Sequence, residues 1–182
     1  PLETHKAWRE QVHRFLAGAL GIEILTLALL ATRRRRLGTA TVVTACVLVA
    51  TGIPLYMMGW HTSASVLALL GEAILLVAAL RWSNIDLARA AVLTLAVVIF
   101  QALLGMWTVT MLLKPIIVMG HLLGGMLMFA LLIWLAWRAT NRPITLAQAP
   151  RLVWWLRAGV AVLALQIALG GWVSANYAAL AC

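Results

Sequence analysis

The chain has 182 residues, of which 64% are hydrophobic and only 10% are charged, and its mean hydropathy is +1.01. A soluble domain of this length is not so apolar, so we expect an integral membrane protein surrounded by lipid. The net charge of +9 would suit a nucleic-acid partner. However, the basic residues lie at the ends of apolar runs, where they act as topology signals, and we expect no nucleic acid.

Six apolar segments predict an all-α fold, a polytopic transmembrane helical bundle. Each segment is roughly 18–24 residues long, enough to cross a bilayer as a helix. None shows the two-residue alternation of a membrane β-barrel. The predicted spans, within a single membrane domain of residues 1–182, are 12–32, 39–59, 64–81, 88–110, 116–137 and 153–173.

The lysines and arginines predict the orientation of these spans. Ten of them lie in or beside the connections that follow the first, third and fifth spans, and four lie toward the opposite side. Since positive residues concentrate on the cytoplasmic side, we expect the amino terminus outside. We expect a multi-pass protein of a bacterial-type inner membrane.

Two histidines on apolar helices are the first candidates for chemistry. His13 lies at the head of the first span, and His121 lies in the fifth span beside several glycines, whose small size leaves room for a flat macrocycle. An imidazole in hydrocarbon is costly and is usually kept for ligation or proton transfer. Both are predicted near the outer face, as expected for axial ligands of a haem iron. The alternative for each is a structural role, such as a hydrogen bond to a neighbouring helix.

Glu10 and Arg14 flank His13 on the same helix. Glu10 and His13 are three residues apart and share a helix face, so the carboxylate can orient the imidazole or accept a proton. Arg14 is four residues from Glu10, close enough to pair with it, and is also suited to bind a haem propionate.

A short motif, Q-x-x-L-G-x-W, occurs at residues 101–107 and again at 166–172. Two copies in one chain indicate two related halves, an arrangement seen in several membrane folds. We expect the glycines to allow close helix approach and the glutamines to hydrogen-bond within the bundle.

Four stretches, in order along the chain, resemble the haem A synthase family. The first is residues 10–18, which begin with E-x-x-H-R, and the others are residues 101–110, 114–124 and 165–182. The resemblance implies eight helices in two four-helix halves. We expect this chain to be a piece without the first helix and most of the second half, and so inactive alone. Residues 153–182 would begin the second half, whereas the apolar hairpin of residues 38–87 has no place in the family pattern.

The resemblance also implies a reaction and a set of residue roles. Such enzymes oxidise the C8 methyl of haem O to the formyl group of haem A by successive hydroxylations, for use in terminal oxidases. By resemblance, His13 and His121 are axial ligands of the substrate haem, Glu10 is a catalytic carboxylate and Arg14 contacts the haem. Cys182 would form a disulfide with a residue outside this chain.

The same resemblance implies a haem b in the missing half, a haem O synthase as supplier and an electron donor; a homo-oligomer is also compatible with the sequence. Two other classes remain open, namely a bis-histidine membrane cytochrome b that only passes electrons and a cofactor-free assembly or transport protein. Glu10 favours the enzyme, because electron transfer alone needs no catalytic carboxylate.

Overall fold

The computed structural model describes residues 2–83, 85–140 and 150–176, which form six helices and no strand. The helices are α1 (Leu2–Thr32), α2 (Gly38–Met57), α3 (His61–Arg81), α4 (Ala88–Thr110), α5 (Pro115–Thr140) and α6 (Pro150–Ala175). All six are long and apolar enough to cross a membrane. The predicted all-α transmembrane fold is therefore confirmed. The first helix begins ten residues before the span predicted at residue 12.

The chain divides into two compact units, one ending at Ile99 and the other beginning at Phe100. The first unit therefore contains α1, α2, α3 and the first half of α4, and the second contains the rest of α4 with α5 and α6. Each unit is described by itself. The single membrane domain expected from the sequence stays a prediction.

In the first unit, α2 and α3 form a tight helical hairpin. A Cβ atom built on Gly71 would lie 2.7 Å from the carbonyl oxygen of Ala45, and one on Gly52 would lie 3.1 Å from that of Ala64. These distances leave no room for a larger side chain at Gly71. Small residues at the seam bring the backbones together, the usual basis of helix packing in lipid.

The turn between α1 and α2 is joined to the segment before α4 by an ion pair. Arg35 donates from Nη2 to Asp86 Oδ1 at 2.8 Å and from Nε to Oδ2 at 3.1 Å. This hydrogen bond lowers the pKa of the Asp86 carboxyl, against the opposing effect of desolvation. Asp86 also accepts from the backbone N–H of Ala88 at 3.0 Å and so caps α4. The α1–α2 connection and the α3–α4 connection thus lie at the same end of this unit.

In the second unit, α5 packs against α6 and against the end of α4. A Cβ atom on Gly171 would lie 2.8 Å from Cδ2 of Leu122, and one on Gly120 would lie 3.8 Å from the side chain of Leu104. Within the most apolar stretch of α6 no residue is buried in the described structure. Much of the α6 surface away from α5 is therefore apolar and exposed, as expected for a helix in lipid.

Candidate functional site

The cluster predicted around His13 lies on the exposed surface of α1. Arg14 donates from Nη2 to Glu10 Oε1 at 2.6 Å, with the two side chains 60% and 57% exposed. The pairing expected from the spacing is therefore present. His13 is also exposed and lies one helical turn from Glu10 on the same face. The three side chains form an open, accessible set.

His61 is the first residue of α3 and is exposed. Its ring packs edge-on against Tyr56 with the ring centroids 4.7 Å apart. The sequence did not predict this aromatic contact across the α2–α3 turn. His61 thus has a local structural role.

His121 lies half-buried in α5, and its ring faces Gly105 of α4. A Cβ atom on Gly105 would lie 3.3 Å from Cε1, 3.8 Å from Nε2 and 3.9 Å from Nδ1 of the imidazole. The glycine therefore makes space for the ring at the seam between α4 and α5. This is the close approach that the Q-x-x-L-G-x-W motif predicted, here made toward a histidine.

The sequence suggested open space beside all the glycines around His121, but the structure shows it beside only some of them. The side chain of Gln101 occupies the place where a Cβ atom on Gly124 would lie. In contrast, nothing lies within 4 Å of the Cβ position of Gly125. The open space beside α5 therefore lies on the Gly125 side, whereas the Gln101 side chain of α4 fills the Gly124 side.

Among the described residues, the amide nitrogen of the motif glutamine Gln101 does not form the hydrogen bond expected from the sequence. Gln101 is only 9% exposed, and its Nε2 is buried with no hydrogen-bond partner among the described residues. Gln166, its counterpart in the repeat, is exposed on α6. The two copies of the motif thus have different surroundings, and only the first encloses a polar group.

The described residues fit a porphyrin better than a bare metal ion. They contain no group of three or more His, Cys, Asp and Glu side chains able to hold an ion. Haem iron takes four ligands from the porphyrin and needs only one or two imidazoles from the protein. A flat, apolar ligand with polar edges suits the surroundings of His121. They combine an apolar helix, an open side at Gly125 and the buried amide donor of Gln101.

Three further residues, namely Glu72, Glu23 and Cys182, are not part of this arrangement. Glu72 of α3 has a buried Oε2 without a hydrogen-bond partner among the described residues, whereas Glu23 of α1 is exposed. Cys182, the predicted disulfide residue, lies outside the described residues. Its pairing stays a prediction.

Comparison with known proteins decides the family. A family model described as "Cytochrome oxidase assembly protein" (COX15-CtaA) matches residues 63–182, more than half of the chain. The chain belongs to this family. The match begins inside α3, so part of the hairpin of residues 38–87 lies within the matched region. It also includes the α4–α5 seam with His121.

A heme A synthase of Shewanella oneidensis is 32% identical to this chain over 183 residues. The similarity covers the whole chain but only 41% of that relative, so the chain spans less than half of the relative's length. No solved structure matches the chain. The comparisons support the predicted family and do not favour the bis-histidine cytochrome b as an alternative.

Proposed function

We propose that this chain supplies one haem site of an oxidoreductase that converts haem O to haem A. The observation that carries the proposal is the half-buried His121 imidazole packed on Gly105, in the region matched by the family model. The named relative is a heme A synthase. The bound haem supplies the methyl group that is oxidised and the iron that the imidazoles hold.

In this proposal His121 and His13 are axial ligands of the substrate haem. His121 has the backbone space and apolar surroundings for an iron ligand, while His13 is accessible on α1. They lie in different units, so each assignment rests on its own surroundings and on the family resemblance.

Glu10 is the proposed catalytic carboxylate. Oxidation of a methyl group to a formyl group removes protons, and a carboxylate held near the reacting carbon can accept them. The ion pair with Arg14 orients Glu10, since the guanidinium donates a hydrogen bond to one of its oxygens at 2.6 Å. Arg14 keeps further donors for a haem propionate.

The setting follows from the same proposal. We place the protein in a bacterial-type inner membrane with the amino terminus of this chain outside, because of the distribution of its arginines. The proposal also includes two partners, namely a haem O synthase that supplies the substrate and a protein that exchanges electrons with the enzyme. It further includes a haem b held by the second half, a homo-oligomer and a disulfide at Cys182.

The proposal is tested in cells that make haem O but no haem A. Expression of the full-length protein is expected to produce haem A, measured by chromatography of extracted haems. A full-length protein that accumulates in the membrane with haem O, and yields no haem A when its partners are present, would contradict the proposed function.

Gly105 gives a second test, directed at the His121 seam. The substitution Gly105→Val adds branches to a Cβ that already lies 3.3 Å from the imidazole. Overpacking of this kind costs about 1–3 kcal/mol, so we expect displacement of the ring and haem binding weakened about tenfold or more. Absorption titration of the full-length protein measures this change.

Gly159→Val in α6 is the matched control, because nothing lies within 4 Å of that Cβ position and the substitution is likewise inside a helix. Equal haem affinity in the two valine variants would show that the Gly105 contact does not position His121 for iron.

A further inference from the structure

Gln101 is a buried amide that the proposed residue roles leave unexplained. Its side chain is 9% exposed, and Nε2 has no hydrogen-bond partner among the residues that the structure describes. The amide is seated directly on the backbone of Gly124, where no other residue type leaves room for it. The sequence therefore provides a close-fitting place for a polar group that is not satisfied there.

The amide lies along the same helix seam as His121. Gly105, which touches the imidazole, is four residues from Gln101 on α4, and Gly124 is three residues from His121 on α5. One helical turn corresponds to about 5.4 Å along the axis. The Gln101 amide and the His121 ring thus follow each other at successive turns of one α4–α5 contact.

An unsatisfied buried donor is unfavourable, and more so in a membrane, where no water replaces the missing acceptor. Buried polar groups without partners are rare and call for an explanation. A leucine would fill the same volume without this cost. The retained amide therefore indicates an acceptor that is present in the working protein.

We propose that Gln101 is a positioning residue that donates a hydrogen bond from its amide to an oxygen on the periphery of the porphyrin bound at His121. The inference rests on the proposed haem site. Three peripheral groups have the required acceptor chemistry, namely a propionate carboxylate, the hydroxyl of the hydroxyethylfarnesyl chain and the oxygen introduced at the oxidised methyl. Any one of these contacts fixes the rotation of the macrocycle about the iron–histidine axis.

The test uses Gln101→Leu in the full-length protein, with Gln166→Leu as the matched control from the exposed copy of the motif. Three probes are titrated into the haem-free protein. Iron octaethylporphyrin has no peripheral oxygen. Haem B has peripheral oxygens only in its propionates, and haem A has in addition the hydroxyl of its hydroxyethylfarnesyl chain and a formyl group. Resonance Raman spectra of the haem A complexes report hydrogen bonding to the formyl oxygen.

For Gln101→Leu we expect unchanged affinity for iron octaethylporphyrin and a loss of about tenfold for a probe that carries the acceptor. A loss for haem B and haem A alike assigns the propionate. A loss for haem A alone assigns the oxidised methyl if the formyl stretch is raised in frequency, and the farnesyl-chain hydroxyl if the formyl stretch is unchanged. Gln166→Leu should match the wild type throughout.

Thermal unfolding of the haem-free protein separates positioning from a structural role. Loss of an unsatisfied amide should leave the midpoint unchanged or raise it. A lowered midpoint would show that Gln101 hydrogen-bonds another part of the protein, and would overturn the proposal. Equal affinities of the variant and the wild type for all three probes would also overturn it. If either result overturns the role of Gln101 while the wild-type protein still produces haem A, the proposed function itself is unaffected.

Discussion

Replacement of His121 by alanine in the full-length protein is expected to abolish the low-spin spectrum of the substrate haem. The imidazole is held in a half-buried place against Gly105, and alanine offers the iron no ligand. Changes to residues that merely support a ligand cost roughly 10- to 100-fold in metal affinity, so loss of the ligand itself should cost at least about 100-fold. Absorption and electron paramagnetic resonance spectra of the purified protein measure the loss.

Two controls separate ligation from folding. His61→Ala removes an exposed imidazole that contacts only Tyr56 among the described aromatic rings, and it should leave the haem spectrum as in the wild type. Added imidazole should restore a low-spin spectrum to His121→Ala, because the space beside Gly105 is then open. A wild-type spectrum in His121→Ala without added imidazole would refute the ligand assignment.

Glu10→Gln is expected to retain bound haem while formation of haem A falls by about 10²- to 10⁴-fold, the usual contribution of a general acid or base. The amide keeps the shape and a hydrogen-bond acceptor for Arg14 but does not take up a proton. The variant should therefore separate haem binding from haem oxidation. Chromatography of extracted haems, together with the absorption spectrum, measures both.

Glu23→Gln is the matched control, since Glu23 is an exposed carboxylate on the same helix. We expect it to form haem A at the wild-type rate. If Glu10→Gln and Glu23→Gln yield equal amounts of haem A, Glu10 has no catalytic part. Loss of bound haem in Glu10→Gln would instead point to Glu10 as support for His13.

The helices were predictable from the sequence because a bilayer imposes simple conditions. Long apolar runs must become helices, and clustered arginines mark their ends. The run of Arg33–Arg36 was read in this way. That Arg35 would bind Asp86, 51 residues later, was not predictable, because the contact depends on how two connections meet. Hydropathy carries no information on such pairing.

For the candidate residues, too, local contacts were predictable from the sequence and contacts between helices were not. The pairing of Glu10 with Arg14 follows from helical spacing alone, and the structure contains it. The contact of His121 with Gly105 and the burial of Gln101 over Gly124 depend on the crossing of α4 and α5. The repeat drew attention to both positions but predicted a satisfied glutamine. Only the packed helices show that one copy is buried without an acceptor and the other is exposed.

The central proposal is that this chain holds a haem whose own methyl group is oxidised. The most direct test is mass spectrometry of the haem bound to the full-length protein, incubated over time with haem O in membranes that contain its electron partner. The account predicts that the bound haem gains one oxygen atom in the first hydroxylation. Over the complete conversion of the methyl to the formyl group it has gained one oxygen atom and lost two hydrogen atoms. A haem O that stays bound at unchanged mass while its iron cycles between oxidation states would contradict the account and identify an electron carrier.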